Sequence, residues 1–281
     1  MNKFILHSVL IFAFAFLSCS KNKVDTTVTD STKNKTENTQ PDMTSGGNVN
    51  DVRITADEIT IKTDDGLAIS ANYFYDKEKK ETPQPVVILI HQFRQSKEQW
   101  RKEFIDSLLT NGFKVLAYDI RGHGESSKIE GELSGLLSDP EQAPKDIKAV
   151  ARWSRSEKGI DTSRIGLIGT SIGGNLALYA QLNLGTKAAV SISNGKKTFE
   201  AFTGYDERMM RRPYFPRMKN VLLICGSKDG DHELGQKWIY DNFLEDPKEM
   251  KVFDSGAHGK GLIDEFPEVS TLILNWLKKY L

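Results

Sequence analysis

The chain has 281 residues, with 38 Lys+Arg balanced by 38 Asp+Glu and 38% hydrophobic content, the composition of a globular protein of one or two domains. A formal net charge of zero lacks the basic excess with which a dedicated nucleic-acid binder meets phosphates, so no nucleic-acid partner is expected. Disorder throughout is excluded by 14 Phe, 8 Tyr and 4 Trp, and two cysteines, Cys19 and Cys225, supply neither a disulfide framework nor a thiolate metal site.

The first residues stand apart from the fold. Lys3 gives a basic start, and residues 4–17 are mostly apolar but too short to cross roughly 30 Å of hydrocarbon as a helix. This pattern predicts a secretory signal peptide over 1–18. It ends in Phe16-Leu17-Ser18-Cys19-Ser20, which resembles the lipobox of bacterial lipoproteins, although Phe16 and Leu17 depart from the residues that motif prefers. The resemblance implies cleavage before Cys19, acylation of its thiol and new amine, and a lipoprotein held at a membrane of a bacterial cell envelope. Three acyl chains anchor stably, at about 0.8 kcal/mol per buried methylene. An ordinary cleaved signal with an incidental Cys19 is the alternative.

Residues 20–52 contain no aromatic residue, no Leu and no Ile. Such a stretch buries too little apolar surface to offset its ordering entropy, so residues 19–52 are expected to form a lipidated cysteine and a flexible tether. Residues 53–281 remain, a comfortable size for one α/β domain.

Within that domain, residues 53–63 alternate in strand fashion, Asp64-Asp65-Gly66 reads as a hairpin turn, and 67–75 alternate again. Short apolar runs then recur at 86–90, 115–118, 165–168, 188–192, 221–225 and 251–253, with Pro85 only opening the first. Helices are predicted over 97–111, 144–157, 172–184, 232–243 and 267–281, two of them begun by proline. This order predicts an α/β fold: a mostly parallel central sheet with helices on both faces and two antiparallel strands at its N-terminal edge. Ligands in such folds bind at the carboxyl ends of the strands.

Three of those ends carry chemistry. The apolar run 165–168 leads into Gly169-Thr170-Ser171-Ile172-Gly173 and then a helical stretch, which is G-x-S-x-G in the strand-turn-helix setting that exposes the serine hydroxyl. A serine needs a base, and the base an orienting acid. Beyond 221–225, Gly226-Ser227-Lys228-Asp229-Gly230-Asp231 offers Asp229 as the acid, with Asp231 as the alternative. After 251–253, Ser255-Gly256-Ala257-His258-Gly259 supplies His258 as the base. Of the remaining histidines, His7 leaves with the signal, His232 begins a helix, and His91 and His123 precede the nucleophile, where a structural role is expected for His123.

The order Ser171, Asp229, His258 resembles an α/β-hydrolase of the dienelactone-hydrolase branch, from about residue 54 to the end of the chain. Asp119-Ile120-Arg121-Gly122-His123-Gly124-Glu125-Ser126 also matches the D-x-R-G-H-G-x-S loop of these hydrolases, whose implied role is structural. The family usually places His-Gly and an apolar residue after its first parallel strand, whereas this chain reads His91-Gln92-Phe93, and the missing glycine should restrict the backbone. By position, the oxyanion hole is expected from the backbone N–H groups of Ile172 and Phe93. The implied activity is two-step ester hydrolysis of a small molecule through an acyl-serine, with no cofactor or metal. A serine peptidase or amidase of the same fold is one alternative, and an inactive surface-displayed binding protein on this scaffold is another.

Residues 193–220 are too few for a cap domain but sufficient for a small lid insertion. They contain Phe199, Phe202, Tyr205, Met209, Met210, Tyr214 and Phe215 with Arg208, Arg211, Arg212 and Arg217, either covering the site or forming a surface helix and loop. Cys225 reads as a buried small hydrophobe, with a nucleophilic role as the alternative.

Overall fold

The computed structural model describes residues 54–209 and 215–281. The signal peptide, Cys19 and the tether lie outside the described residues, as do Arg53 and residues 210–214 of the insertion.

The strands β1 (Ile54–Lys62) and β2 (Ala68–Asp76) pair antiparallel, Ile54 against Asp76 through Lys62 against Ala68. Six further strands follow: β3 (Gln84–Ile90), β4 (Lys114–Tyr118), β5 (Ile160–Thr170), β6 (Ala188–Ile192), β7 (Val221–Gly226) and β8 (Lys248–Phe253). They form one eight-stranded sheet in the order β1-β2-β4-β3-β5-β6-β7-β8. β2 also meets β4 antiparallel, and every later pairing is parallel. From β3 the chain builds outward first through β4 and then, on the other side, through β5. The carboxyl ends of β3 and β5 therefore flank the point where strand order reverses, where open α/β sheets bind ligands.

Period-two alternation divides the core into two layers. Val86, Ile88 and Ile90 of β3 point to one face, where α2 (Ala143–Ser156), α3 (Ile172–Asn183), α4 (Lys196–Thr203) and α5 (His232–Phe243) contribute Ile147, Leu176, Phe199 and Ile239. Val87 and Leu89 point to the other, against Leu108 of α1 (Lys102–Thr110), Leu262 of α6 (Lys260–Glu265) and Ile273 of α7 (Pro267–Tyr280). Both faces of the central strands are covered, which is why they read as unbroken apolar runs. The predicted α/β architecture and its antiparallel N-terminal edge are present.

Some boundaries differ. The helix expected over 97–111 is a 3₁₀ turn at Lys97–Gln99 followed, after an extended Trp100 (φ −83°, ψ 112°), by α1. The cause is Asp119, whose Oδ1 accepts the Lys97 N–H at 2.6 Å while its Oδ2 takes Lys97 Nζ at 3.0 Å. These bonds hold the turn against the sheet edge and stop it joining α1. β8 begins three residues before the apolar run, because Lys248, Glu249 and Met250 lie at the sheet's edge with one face in solvent.

The insertion expected to act as a lid is described over residues 193–209 and 215–220, where most of its aromatics face the core. Phe199 and Phe202 of α4 are buried in the core, and Tyr205 and Phe215 stack edge-on at 5.3 Å, with Phe215 in turn 4.7 Å from Phe243. These aromatics complete the packing of α5. Tyr214, Met210, Arg211 and Arg212 fall outside the described residues.

Candidate active site

The turn from β5 into α3 is sharp enough to constrain its residues one by one. Ser171 sits at φ 52°, ψ −116°, a strained conformation for a residue with a side chain, held by its N–H donating to Ile192 O at 2.8 Å. A side chain at Gly169 would overlap the Gly173 carbonyl, and one at Gly173 would overlap the carbonyls of Ile90 and His91. These two glycines let the elbow pack on itself and on the end of β3, and Ser171 projects at the N-terminus of α3.

Ser171 opens into a cavity of about 390 Å³ lined by Gln92, Phe93, Leu137, Ile172, Asn175, Gly195, Thr198, His232 and His258. Asp229, 8% exposed, lies just beyond it, its carboxylate accepting from His258 Nδ1 at 2.9 and 3.0 Å. The aspartate thus fixes the tautomer with Nδ1 protonated and leaves Nε2 as the basic nitrogen. No hydrogen bond joins Ser171 Oγ to His258 among the described residues. Such bonds are often open in a ligand-free site and tighten when substrate binds. Asp231 is exposed in the turn that starts α5.

The two expected oxyanion donors lie at the same cavity. Ile172 is the first residue of α3, where N–H groups have no intrahelical acceptor, and the Phe93 N–H has no acceptor among the described residues. The backbone restriction expected at Gln92 does not arise, because the left-handed residue of this loop is Arg94, at φ 62°. The loop is pinned by two histidines. His91 donates Nδ1–H to Gln92 O at 2.8 Å and accepts from Ile120 N–H at 2.9 Å through Nε2, and burial lowers its pKa to about 4. His123 Nε2 accepts the Arg94 N–H at 3.0 Å, and its ring packs edge-on against Phe93. The D-x-R-G-H-G-x-S loop therefore buttresses the loop that presents the Phe93 amide.

The rest of that motif is a buried charge lattice. Arg121, 3% exposed, donates from Nε and its own N–H to Asp146 at 2.8 and 2.9 Å and from Nη1 to Asp65 at 2.8 Å. That guanidinium holds the Asp65 carboxyl down at about 2.

His232, expected only to begin a helix, also reaches the cavity. Its ring lies 4.7 Å from that of His258, and its Nδ1 donates to Asn194 O at 3.2 Å. Its place three residues after Asp229 was the available signal. Asp229, His232 and His258 each offer a possible metal-ligating atom, all within 4.8 Å of one another, although the Asp229 carboxylate is already engaged with His258. Leu137 and Thr198 reach the wall from segments with no motif to mark them. Cys225 is fully buried in β7, where burial pushes its thiol up to about 12, so it behaves as a small apolar side chain away from the cavity.

Comparison with known proteins agrees with this architecture. A family model described as the alpha/beta hydrolase fold matches residues 85–218, from β3 to just before β7. An esterase of Pyrococcus furiosus superposes with a TM-score of 0.62 at 21% identity, covering 85% of this chain and 98% of that one. A dienelactone hydrolase of Anabaena variabilis gives 0.59 at 16% identity, covering 82% and 99%. An uncharacterised 31.7 kDa protein of Escherichia coli is 35% identical over 97 residues, 34% of this chain and 32% of that protein. The chain thus spans about a third of the length of the first curated relatives it matches. The folded domain has the α/β-hydrolase fold.

Proposed function

We propose that the protein is a serine hydrolase that cleaves carboxylic esters of small molecules. The observation that carries this reading is the Asp229–His258 pair opening onto the cavity that holds Ser171 on its strained elbow. His258 Nε2 takes the Ser171 proton as Oγ attacks the ester carbonyl carbon, and Asp229 holds the imidazole and stabilises its cation. The developing oxyanion is met by the Ile172 and Phe93 N–H groups. The protonated histidine gives its proton to the departing alcohol. Water, deprotonated by the same nitrogen, then releases the acid and frees Ser171. The chain's own groups supply every step.

The exported, membrane-anchored state is part of the proposal and rests on the apolar run 4–17 and Cys19. Incorporation of labelled palmitate into the full chain, lost in Cys19→Ser, is the expected result; equal labelling of the variant would overturn it.

The activity is tested by a fluorophosphonate probe on the folded protein, mapped by mass spectrometry and compared with Ser171→Ala. An adduct on Ser171 that is absent from the variant is expected. One second reading, a binding protein on an unreactive hydrolase scaffold, is favoured by the absence of a Ser171 Oγ–His258 hydrogen bond among the described residues, and a folded wild type without adduct would make it the leading one.

A further inference from the structure

We propose that Gln92 is a positioning residue, whose side-chain carbonyl locks the loop carrying His258 to the loop carrying the Phe93 amide. The proposal rests on the hydrolase reading of the site. Gln92 occupies the position where the resemblance leads one to expect glycine, and two carboxamides in series leave from it. Its Oε1 accepts the Lys260 N–H at 2.9 Å, two residues after His258 and across 168 residues of sequence. Its own N–H donates to Gln99 Oε1 at 3.1 Å, and Gln99 Nε2 donates to Thr170 Oγ1 at 2.9 Å, directly before Ser171. Gln99 and Thr170 are buried. One chain of bonds therefore connects the base, an oxyanion donor and the nucleophile.

The fit around Oε1 is tight. Gly259 has φ 57°, and a side chain there would overlap Oε1 of Gln92. Residue 92 thus fills the space that the glycine after His258 leaves open, and residues 92 and 259 form a matched pair. Lys260 opens α6, so its N–H lacks an intrahelical acceptor, and Gln92 supplies one. The neighbouring Gly259 N–H is taken by Ser193 Oγ at 2.9 Å, so His258 is followed by two successive amides, each tied to a side chain from a different strand end. Removing one tie leaves the loop attached on one side only. Because catalysis depends on sub-ångström placement, a misplacement of about 1 Å costs on the order of 10² in rate.

The test compares Gln92→Met, which keeps the length but has no acceptor, with Gln92→Glu, which keeps the acceptor. On an ester that the wild type turns over, Gln92→Met should lower kcat by about 10- to 100-fold with KM within about twofold, and Gln92→Glu should recover to within about fivefold of wild type. Wild-type activity in Gln92→Met would overturn the proposal. So would a Glu variant as impaired as the Met variant, since the amide nitrogen would then be the working group. Hydrogen exchange of a peptide spanning 255–262, read on the full chain, is independent of turnover. It should accelerate in Gln92→Met and stay near wild type in Gln92→Glu; no acceleration would overturn the proposal even if Ser171 failed to take the fluorophosphonate.

Discussion

His258 Nδ1 lies 2.9 Å from Oδ2 and 3.0 Å from Oδ1 of Asp229, whereas Asp231, two residues further along the same turn, is exposed. By sequence position Asp229 is the expected acid and Asp231 the alternative, since both follow the end of β7 closely enough to meet a histidine. Only one has its carboxylate withdrawn from water and aimed at the imidazole. Asp229→Asn should leave the fold intact and lower kcat by about 10² to 10⁴, because an amide no longer favours the tautomer with Nδ1 protonated. Asp231→Asn should change kcat by less than about twofold, as surface substitutions away from special features do. Steady-state kinetics on both variants decide the assignment, and equal losses would sink it.

The elbow glycines make a second prediction on stability. Gly173→Ala places a methyl group on the backbone carbonyls of Ile90 and His91, which cannot yield without moving the end of β3. The expected cost is about 3 kcal/mol or more, at the upper end of overpacking penalties. Gly185, at φ 64° with open space around it, is the control: alanine there should cost only about 1 kcal/mol from the left-handed backbone. Urea midpoints of the two variants should differ accordingly; similar midpoints would mean that the elbow tolerates a shift.

The elements most legible in the sequence are those whose physics is local. G-x-S-x-G permits its sharp turn through the absence of side chains at Gly169 and Gly173, and the apolar runs of β3 to β7 announce strands buried on both faces. The 3₁₀ turn at Lys97 was hidden because its cause, the Asp119 carboxylate, arrives from another strand end. The Gln92 tie was hidden for the same reason, joining residues 168 apart. His232 was read as a helix start, and it is one, yet position in an element says nothing about which cavity the ring reaches. The aromatics of the insertion left a lid and a surface helix open together, because composition alone cannot distinguish a side chain over a cavity from one packed under a helix.

Arg121 carries a third prediction. It is the only described partner ion for Asp146, which is fully buried, so Arg121→Met strands a carboxylate in the interior. The expected loss is about 3–5 kcal/mol, typical of breaking a buried pair from one side. The double variant Arg121→Met, Asp146→Leu removes both charges and should recover most of it, as buried pairs replaced by apolar groups often do. Denaturation of the two single variants and the double variant forms the cycle, and additive losses would mean that the lattice is not coupled.

His91 sets the fourth, which concerns pH. The imidazole is fully buried, its Nδ1–H is given to Gln92 O and its Nε2 accepts from Ile120 N–H, so both nitrogens are satisfied only in the neutral form. Desolvation is the main cause that lowers its pKa from 6.5 to about 4 in the folded chain. The unfolded chain binds this proton at higher pH than the folded one does. His91 therefore contributes its full stability above pH 6.5 and loses it as the pH falls toward 4, below which both states are protonated. At about 1.4 kcal/mol per pK unit, the loss is on the order of 3 kcal/mol. The urea midpoint should fall steadily between pH 6.5 and pH 4.5, while the His91 ring resonance of the folded protein stays unshifted down to about pH 5. A folded His91 that titrates near 6.5 would show that the loop presenting Phe93 tolerates an imidazolium, and the pinning of that loop by His91 would have to be given up.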